Sequence, residues 1–206
     1  MNYDTADRMM RDMNKRNLRA FSQLKTLKFD ELNVLRAVRK VYHDSTRIAK
    51  KRYRKIAEDA FLAALLEAGI SKEKAEEMTE DAITDDWVLN MLEDYDELTL
   101  YRFDHEAERK AARLAEALLA SGNRGEETDK ALRLWTLQVA QYADDTVVYA
   151  TLDAYRAADV KKVMWIAVED DKTCMSCNAL HKKIFDIDKV PPRQHYRCRC
   201  TLKPVS

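Results

Sequence analysis

The stretch Glu126–Ala158, EETDKALRLWTLQVAQYADDTVVYATLDAYRAA, decides the fold class. Its apolar residues fall on one helical stripe: Leu132, Trp135, Val139 and Tyr142 step by three, four and three, and Thr146 and Tyr149 extend the line. At about 1.5 Å per residue, a helix of this length reaches roughly 50 Å. Such an element suits an elongated, protein-packed structure better than a compact enzyme built around a pocket.

Moving toward the N-terminus, the loop Ser121–Gly125 holds two of the chain's three glycines and is its clearest break. Before it, Thr99 is placed to cap a helix through Leu100, Phe103, Ala107, Leu114 and Leu118. Thr84 is placed to cap a segment with Trp87, Leu89, Met91 and Leu92, and Ser71 a short helix in which Ile70 and Ala75 form a hydrophobic staple. Gly69 supplies the stop for a helix through Ile56, Ala60, Ala64 and Ala68. Leu32, Leu35, Val38 and Val41 continue the pattern upstream. The first residues, to about Phe21, show only weak apolar periodicity and read as a segment that is mobile or ordered by a partner.

Composition agrees. Among 206 residues there are three glycines and three prolines, against roughly 7% and 5% in ordinary domains, so turns are few and elements long. With 46% hydrophobic and 35% charged residues, the chain has ample apolar surface to bury and is not a disordered composition. Lys plus Arg equals Asp plus Glu at 36 each, so global charge gives no pull toward nucleic acid or membrane. No run approaches the roughly 18 apolar residues that span a bilayer. The opening MNYDTADRMMRDMNKR is polar where a secretory signal needs an apolar core, so synthesis in the cytoplasm is expected and stable disulfides are disfavoured.

At Asp159 the character changes. Val163–Val168 is a continuous apolar run of six, read as a buried strand. A boundary is therefore drawn near residue 160, giving a multi-helix body over 1–160 and a small α+β domain over 161–206. All four cysteines lie in that last part: Cys174 and Cys177 as CxxC, then Cys198 and Cys200 as CxC, with His195 three residues before Cys198. A CxxC pair on a turn aims two thiolates at one point, which is half of a tetrahedral zinc site. In extended chain Cys198 and Cys200 share one face and can donate together, and His195 can replace either. A short segment with little core gains most from such a staple. Two other readings stand beside one structural zinc per chain: reduced thiols packed as small hydrophobes, and disulfides or a redox CxxC. The redox reading is opposed by the lack of a βαβ pattern, and four or five soft ligands would close a metal's coordination sphere against catalysis.

These residues resemble the phage head-morphogenesis proteins, the Mu F-like minor head family. The resemblance rests on Trp165, Asp171, Cys174, Cys177, Leu180, Phe185, Pro192, His195, Cys198, Arg199 and Cys200 in order, followed by Leu202 and Pro204. Two positions depart from the family pattern: Lys182 stands where glycine is usual and Tyr196 where proline is. The helical part, including Glu93-Asp94-Tyr95-Asp96, is similar more loosely. Membership implies a structural, non-enzymatic minor capsid protein, present in multiple copies in the virion, in the capsid interior or at the portal vertex. Its implied partners are the portal and/or the major capsid protein.

Other signals are weighed against this. The run Arg36, Arg39, Lys40, Arg47, Lys50, Lys51, Arg52, Arg54 and Lys55 has only Asp44 against it locally, and could meet packaged DNA through phosphates. The plainer reading is a solvated helix face, or one that meets acidic runs such as Glu76-Glu77, Glu80-Asp81 and Asp85-Asp86. Trp87, Trp135 and Trp165 read as core or interface residues, and His43 and His105 as surface residues. Asp170-Asp171 reads as a carboxylate-capped turn. No glycine-rich phosphate loop, GxSxG or HExxH occurs, so no enzyme is expected. The alternative from another class is a zinc-dependent nucleic-acid-binding module.

Overall fold

The computed structural model describes residues 3–27, 31–92, 94–95, 100–171, 173–194 and 198–205; side chains of 3–6, 31–32, 94–95 and 100–101 are not described. Seven α-helices and two small sheets occur among the described residues. The helices are α1 (Tyr3–Leu24), α2 (Glu31–Glu67), α3 (Lys72–Ala82), α4 (Asp85–Met91), α5 (Arg102–Ala120), α6 (Arg124–Ala157) and α7 (Met175–Leu180). Strands β1 (Asp94–Tyr95) and β2 (Leu100–Tyr101) form a minimal antiparallel pair. Strands β3 (Lys162–Ile166), β4 (Ile184–Asp186) and β5 (Thr201–Val205) form an antiparallel sheet in the order β4-β3-β5. The protein is therefore mainly α with a small α+β region at its C-terminal end. No helix of the described residues is long and apolar enough to cross a membrane.

Helix boundaries follow local chemistry. Helix α2 ends in a Schellman motif: Gly69 takes φ +87, Ile70 N–H donates to Leu65 C=O at 3.1 Å and Gly69 N–H to Leu66 C=O at 3.1 Å. Ser71 caps α3 as expected, its Oγ accepting from Lys74 N–H at 3.4 Å. At the end of α6 the same 6→1 geometry recurs with Asp159 at φ 59, as Val160 N–H donates to Tyr155 C=O at 2.9 Å. Asn123 opens α6 by accepting from Glu126 N–H at 3.3 Å. The cap expected at Thr99 lies outside the described residues, and α5 begins at Arg102.

Cα packing divides the chain into two compact units. One comprises Asp4–Arg54 and Asp85–Ala143. Its centre is aromatic: Tyr42 packs edge-on to Phe21 and Trp135, and Phe103 stacks on Trp135 and meets Tyr53 and Tyr142 edge-on, with centroids 4.8–5.6 Å apart. The Trp135 indole N–H donates to Ser45 Oγ at 2.7 Å, and that hydroxyl donates to Asn17 Oδ1 at 2.8 Å, all three residues being buried. The weakly periodic N-terminal segment belongs here as α1. Met10, Met13, Asn17, Phe21 and Leu24 form its buried stripe, and the polar Asn17 at the middle position is what hid the period.

The other unit comprises Met1–Tyr3, Lys55–Thr84 and Asp144–Ser206. Here the later part of α2, with Ile56, Ala57, Phe61 and Leu65 buried, and the later part of α6, with Val147, Ala150, Ala154 and Tyr155 buried, belong with α3 and the three-stranded sheet. The change from helix to strand falls between Ala157 and Lys162, while the compact unit extends across it. The apolar run Val163–Val168 yields a strand that ends at Ile166, with Val163, Trp165 and Ala167 buried on one side and Val168 partly exposed. Tyr155 ties the unit together by donating to Glu67 Oε2 at 2.7 Å, with the Leu202 carbonyl 3.2 Å away.

Candidate metal centre

The antiparallel register Trp165↔Leu202 and Ile166↔Thr201 brings the residues just before β5 beside the end of β3. After β3 the chain turns through Val168–Thr173 and enters α7, whose N-cap is Cys174 and whose first turn holds Cys177. The two sequence-distant cysteine pairs thus converge at the end of one sheet. The ligand atoms of Cys177, Cys198 and Cys200 all lie within 4.8 Å of one another, and all three residues are buried. Cys177 Sγ and Cys198 Sγ are 3.6 Å apart, and all four cysteines are free thiols. Cys174 sits at the rim. Its Sγ accepts from Cys177 N–H at 3.4 Å and also interacts with the Cys177 thiol. His195, the other candidate ligand, lies outside the described residues.

The electrostatics of the site distinguish its members. The Cys177 backbone N–H holds the Cys174 thiol below its ordinary range, burial opposing it. Burial pushes the Cys177 thiol well above its ordinary range, with the other cysteines adding to the rise. Burial also raises Cys200, against which Cys177 and the Trp165 indole N–H pull downward. That indole nitrogen is buried and has no other hydrogen-bond partner among the described residues, so it stands ready to donate to a thiolate. Buried sulfurs that resist ionisation alone become thiolates when a cation compensates them.

The donor set fits a metal. Tetrahedral zinc with bonds of about 2.3 Å places sulfurs about 3.8 Å apart. The observed cluster requires little rearrangement to reach that spacing. The CxxC opens a helix after a strand, as redox pairs do, but β3 and β4 on either side of α7 are antiparallel, so the βαβ setting of thioredoxin-like folds is absent.

Three contacts not anticipated from the sequence hold the site. Arg199 grips Asp170 through two bonds, Nη1 to Oδ2 at 2.7 Å and Nη2 to Oδ1 at 2.6 Å, linking the turn before α7 to the Cys198–Cys200 segment. Asp170 also accepts from Thr173 Oγ at 3.1 Å, so the carboxylate-capped turn is present. Arg193, 9% exposed at its side chain, pairs with Asp144 of α6 at 3.3 Å and anchors the loop that leads into the second cysteine pair. His181 Nδ1 accepts from Ala167 N–H at 3.1 Å and steadies the loop before the first pair. The signal available in sequence for the first clamp was an arginine between the two cysteines and an acidic pair three residues before the CxxC.

The basic run is largely consumed within the fold. Arg39 pairs with Glu108, Lys50 with Asp104, Arg52 with Asp12 and Arg54 with Asp85. Lys40 and Arg47 share Asp44, and Lys55 meets Glu58 and Asp59. Among the described residues, only Arg36 and Lys51 of that run lack an ion pair. Four of these acids come from other helices, which is why the local sequence placed only Asp44 against the run. Trp135 and Trp165 are core residues, and Trp87 is half-buried.

With this geometry in place, comparison with known proteins gives one family. The model of the phage Mu protein F like protein family matches residues 106–203, from the first turns of α5 to the middle of β5. That stretch of the chain is similar to this family, and the sulfur cluster lies inside it. No curated protein and no solved structure matches the chain.

Proposed function

We propose that this protein is a structural, non-catalytic component of a tailed-phage head. In this reading it acts in head assembly at the portal vertex, through contacts with the portal and/or the major capsid protein, and stays in the virion in several copies. The observation that carries the reading is the family match over residues 106–203, which reaches through the sulfur cluster. One structural zinc per chain is held by Cys177, Cys198 and Cys200, with Cys174 or His195 completing the shell. Zinc there supplies a cross-link between the α7 turn and the approach to β5, two pieces with few large apolar side chains of their own. The functional division follows the change of secondary structure, with residues 1–160 serving as the helical body and 161–206 as the braced region.

Protein contacts are favoured over packaged DNA. Cations already paired with carboxylates release few counterions on meeting phosphates, so the Arg36–Lys55 region offers little non-specific DNA affinity.

Three measurements test the proposal. Mass spectrometry of purified particles is expected to detect the protein, and chemical cross-linking to join it to the portal. Metal analysis of the purified chain is expected to give about one zinc per chain. Particles free of the protein overturn the head assignment. A metal-free protein with four equally alkylated thiols overturns the zinc.

A further inference from the structure

A pocket of about 300 Å³ lies in the unit formed by Asp4–Arg54 and Asp85–Ala143, far in sequence from the cysteines. Helices α5 and α6 supply most of its lining, and Tyr42 of α2 completes it. Its size is at the lower end of small-ligand sites, roughly 300–1,000 Å³.

Two independent features mark it as built for an anion. First, three cations line it, Lys110, Arg113 and Lys130, against the single carboxylate of Glu127. Among the described residues none of the three forms an ion pair, in contrast to the basic run of α2, where almost every cation is matched. Glu106, one turn before Lys110, attracts it electrostatically, but from beyond ion-pair distance. Second, Tyr42, itself only 2% exposed, forms part of the pocket wall and brings a phenol hydroxyl to the lining residues. Burial raises its pKa, so the phenol stays a neutral donor. The rest of the wall is apolar, with Leu114 buried and Leu134 partly exposed.

We propose that this pocket binds a carboxylate carrying a short apolar group. Lys110, Arg113, Lys130 and the Tyr42 hydroxyl receive the carboxylate, and Leu114 and Leu134 receive the apolar part. A carboxylate of this kind is found on a free small molecule and at the C-terminus of a polypeptide, so the chemistry is shared and the source is left to the experiment. Burial depresses the Lys110 ammonium, and Arg109 and Arg113 add to the effect against the pull of Glu106. A bound anion relieves that strain on the cation. The site is independent of the metal and of the role in the phage head.

Calorimetry on the full chain tests it with four probes: hexanoate, hexanamide, an acetylated tripeptide ending in leucine carboxylate, and the same peptide as its amide. Binding of either carboxylate without its amide supports the site. Hexanoate alone identifies the small-molecule source, the peptide acid alone the chain terminus, and both together a site that takes either. Tyr42→Phe, which keeps the ring, is expected to weaken binding about fivefold. Lys130→Gln, on an exposed position, is expected to weaken it about tenfold and to reduce its salt dependence. No heat with either carboxylate at millimolar concentration overturns the proposal. So does equal binding of acid and amide, or affinity unchanged in both variants.

Discussion

The aromatic centre around Trp135 and the sulfur-bearing end around Cys177 solve the same problem by different means. In the first, long helices place six rings in mutual contact, and buried hydrogen bonds run among them, from Trp135 to Ser45 to Asn17 and from the Tyr53 hydroxyl to the Val139 carbonyl. In the second, strands of three to five residues supply few large side chains, and Trp165 is the main one buried. What holds that end is a set of specific contacts: the buried thiols of Cys177, Cys198 and Cys200 gathered together, Arg199 on Asp170, and Arg193 on Asp144. Long amphipathic helices bury enough area to dispense with cross-links. A short sheet on the flank of a helical unit does not, and specific polar and sulfur contacts take over.

The sharpest test of this contrast is removal of the zinc proposed for the cysteine cluster. Chelation, or Cys198→Ser, is expected to cost residues 161–206 most of their protection from hydrogen exchange, while α5 and the first half of α6 keep theirs. Equal loss in both regions would erase the distinction between them. The reciprocal change is Trp135→Ala, which removes the ring that Tyr42 and Phe103 share and takes from Ser45 Oγ the hydrogen bond it accepts. It is expected to destabilise by roughly 3–5 kcal/mol in urea unfolding, with the cysteine cluster still able to take up zinc.

Alkaline pH probes both regions together. Burial raises Tyr42, and burial followed by the Glu67 bond raises Tyr155. Below pH 10 both phenols are protonated whether the chain is folded or not, so stability is flat. Above it the unfolded chain releases protons that the folded chain retains, and stability falls by up to about 1.4 kcal/mol per pH unit for each tyrosine. Urea midpoints measured across that range are expected to fall less steeply in Tyr42→Phe and in Tyr155→Phe. A smaller effect is expected at the exposed clamp. Arg199→Ala leaves every sulfur in place but frees the turn before α7, and zinc affinity by competition titration is expected to drop about tenfold. An unchanged affinity would remove Arg199 from the positioning of the site.

The helical part was legible because its information is local. The stripe Trp135, Val139 and Tyr142 with Leu132 half-buried beside it, the stop at Gly69 and the cap at Ser71 are each set within a few residues, and each is present. The convergence of Cys177 with Cys198 and Cys200 was legible only as a pattern of spacing. The β3–β5 register that enforces it spans some forty residues and has no local signature. The N-terminal helix was obscured by Asn17, which is buried because a hydroxyl on α2 waits for it. The fate of the basic run was likewise hidden, since Asp12, Asp104 and Glu108 reach it from other helices. Spacing reveals which groups a segment carries, but pairing between segments decides what remains available.

Lys182 offers the finest test, because there sequence and backbone disagree. The family that the chain resembles usually has glycine at this position, and the residue adopts φ 61, the left-handed region that glycine enters freely and other residues enter at about 1 kcal/mol or more. The conformation is imposed by its neighbours: Lys182 N–H donates to Trp165 C=O at 2.8 Å and Trp165 N–H to Lys183 C=O at 2.9 Å, so the chain must turn sharply from α7 into β4. The side chain is exposed and makes no ion pair among the described residues, so nothing is lost with it. Lys182→Gly is therefore expected to stabilise by about 0.5–1 kcal/mol, part of the relief being offset by the greater freedom of glycine in the unfolded chain. For a protein of this size that is a rise in Tm of roughly 1–4 °C. Lys182→Val, β-branched at the same angle, is expected to shift it the other way. If both variants melt with the parent, the turn is not strained, and the cross-links around Trp165 are looser than the contrast with the aromatic centre requires.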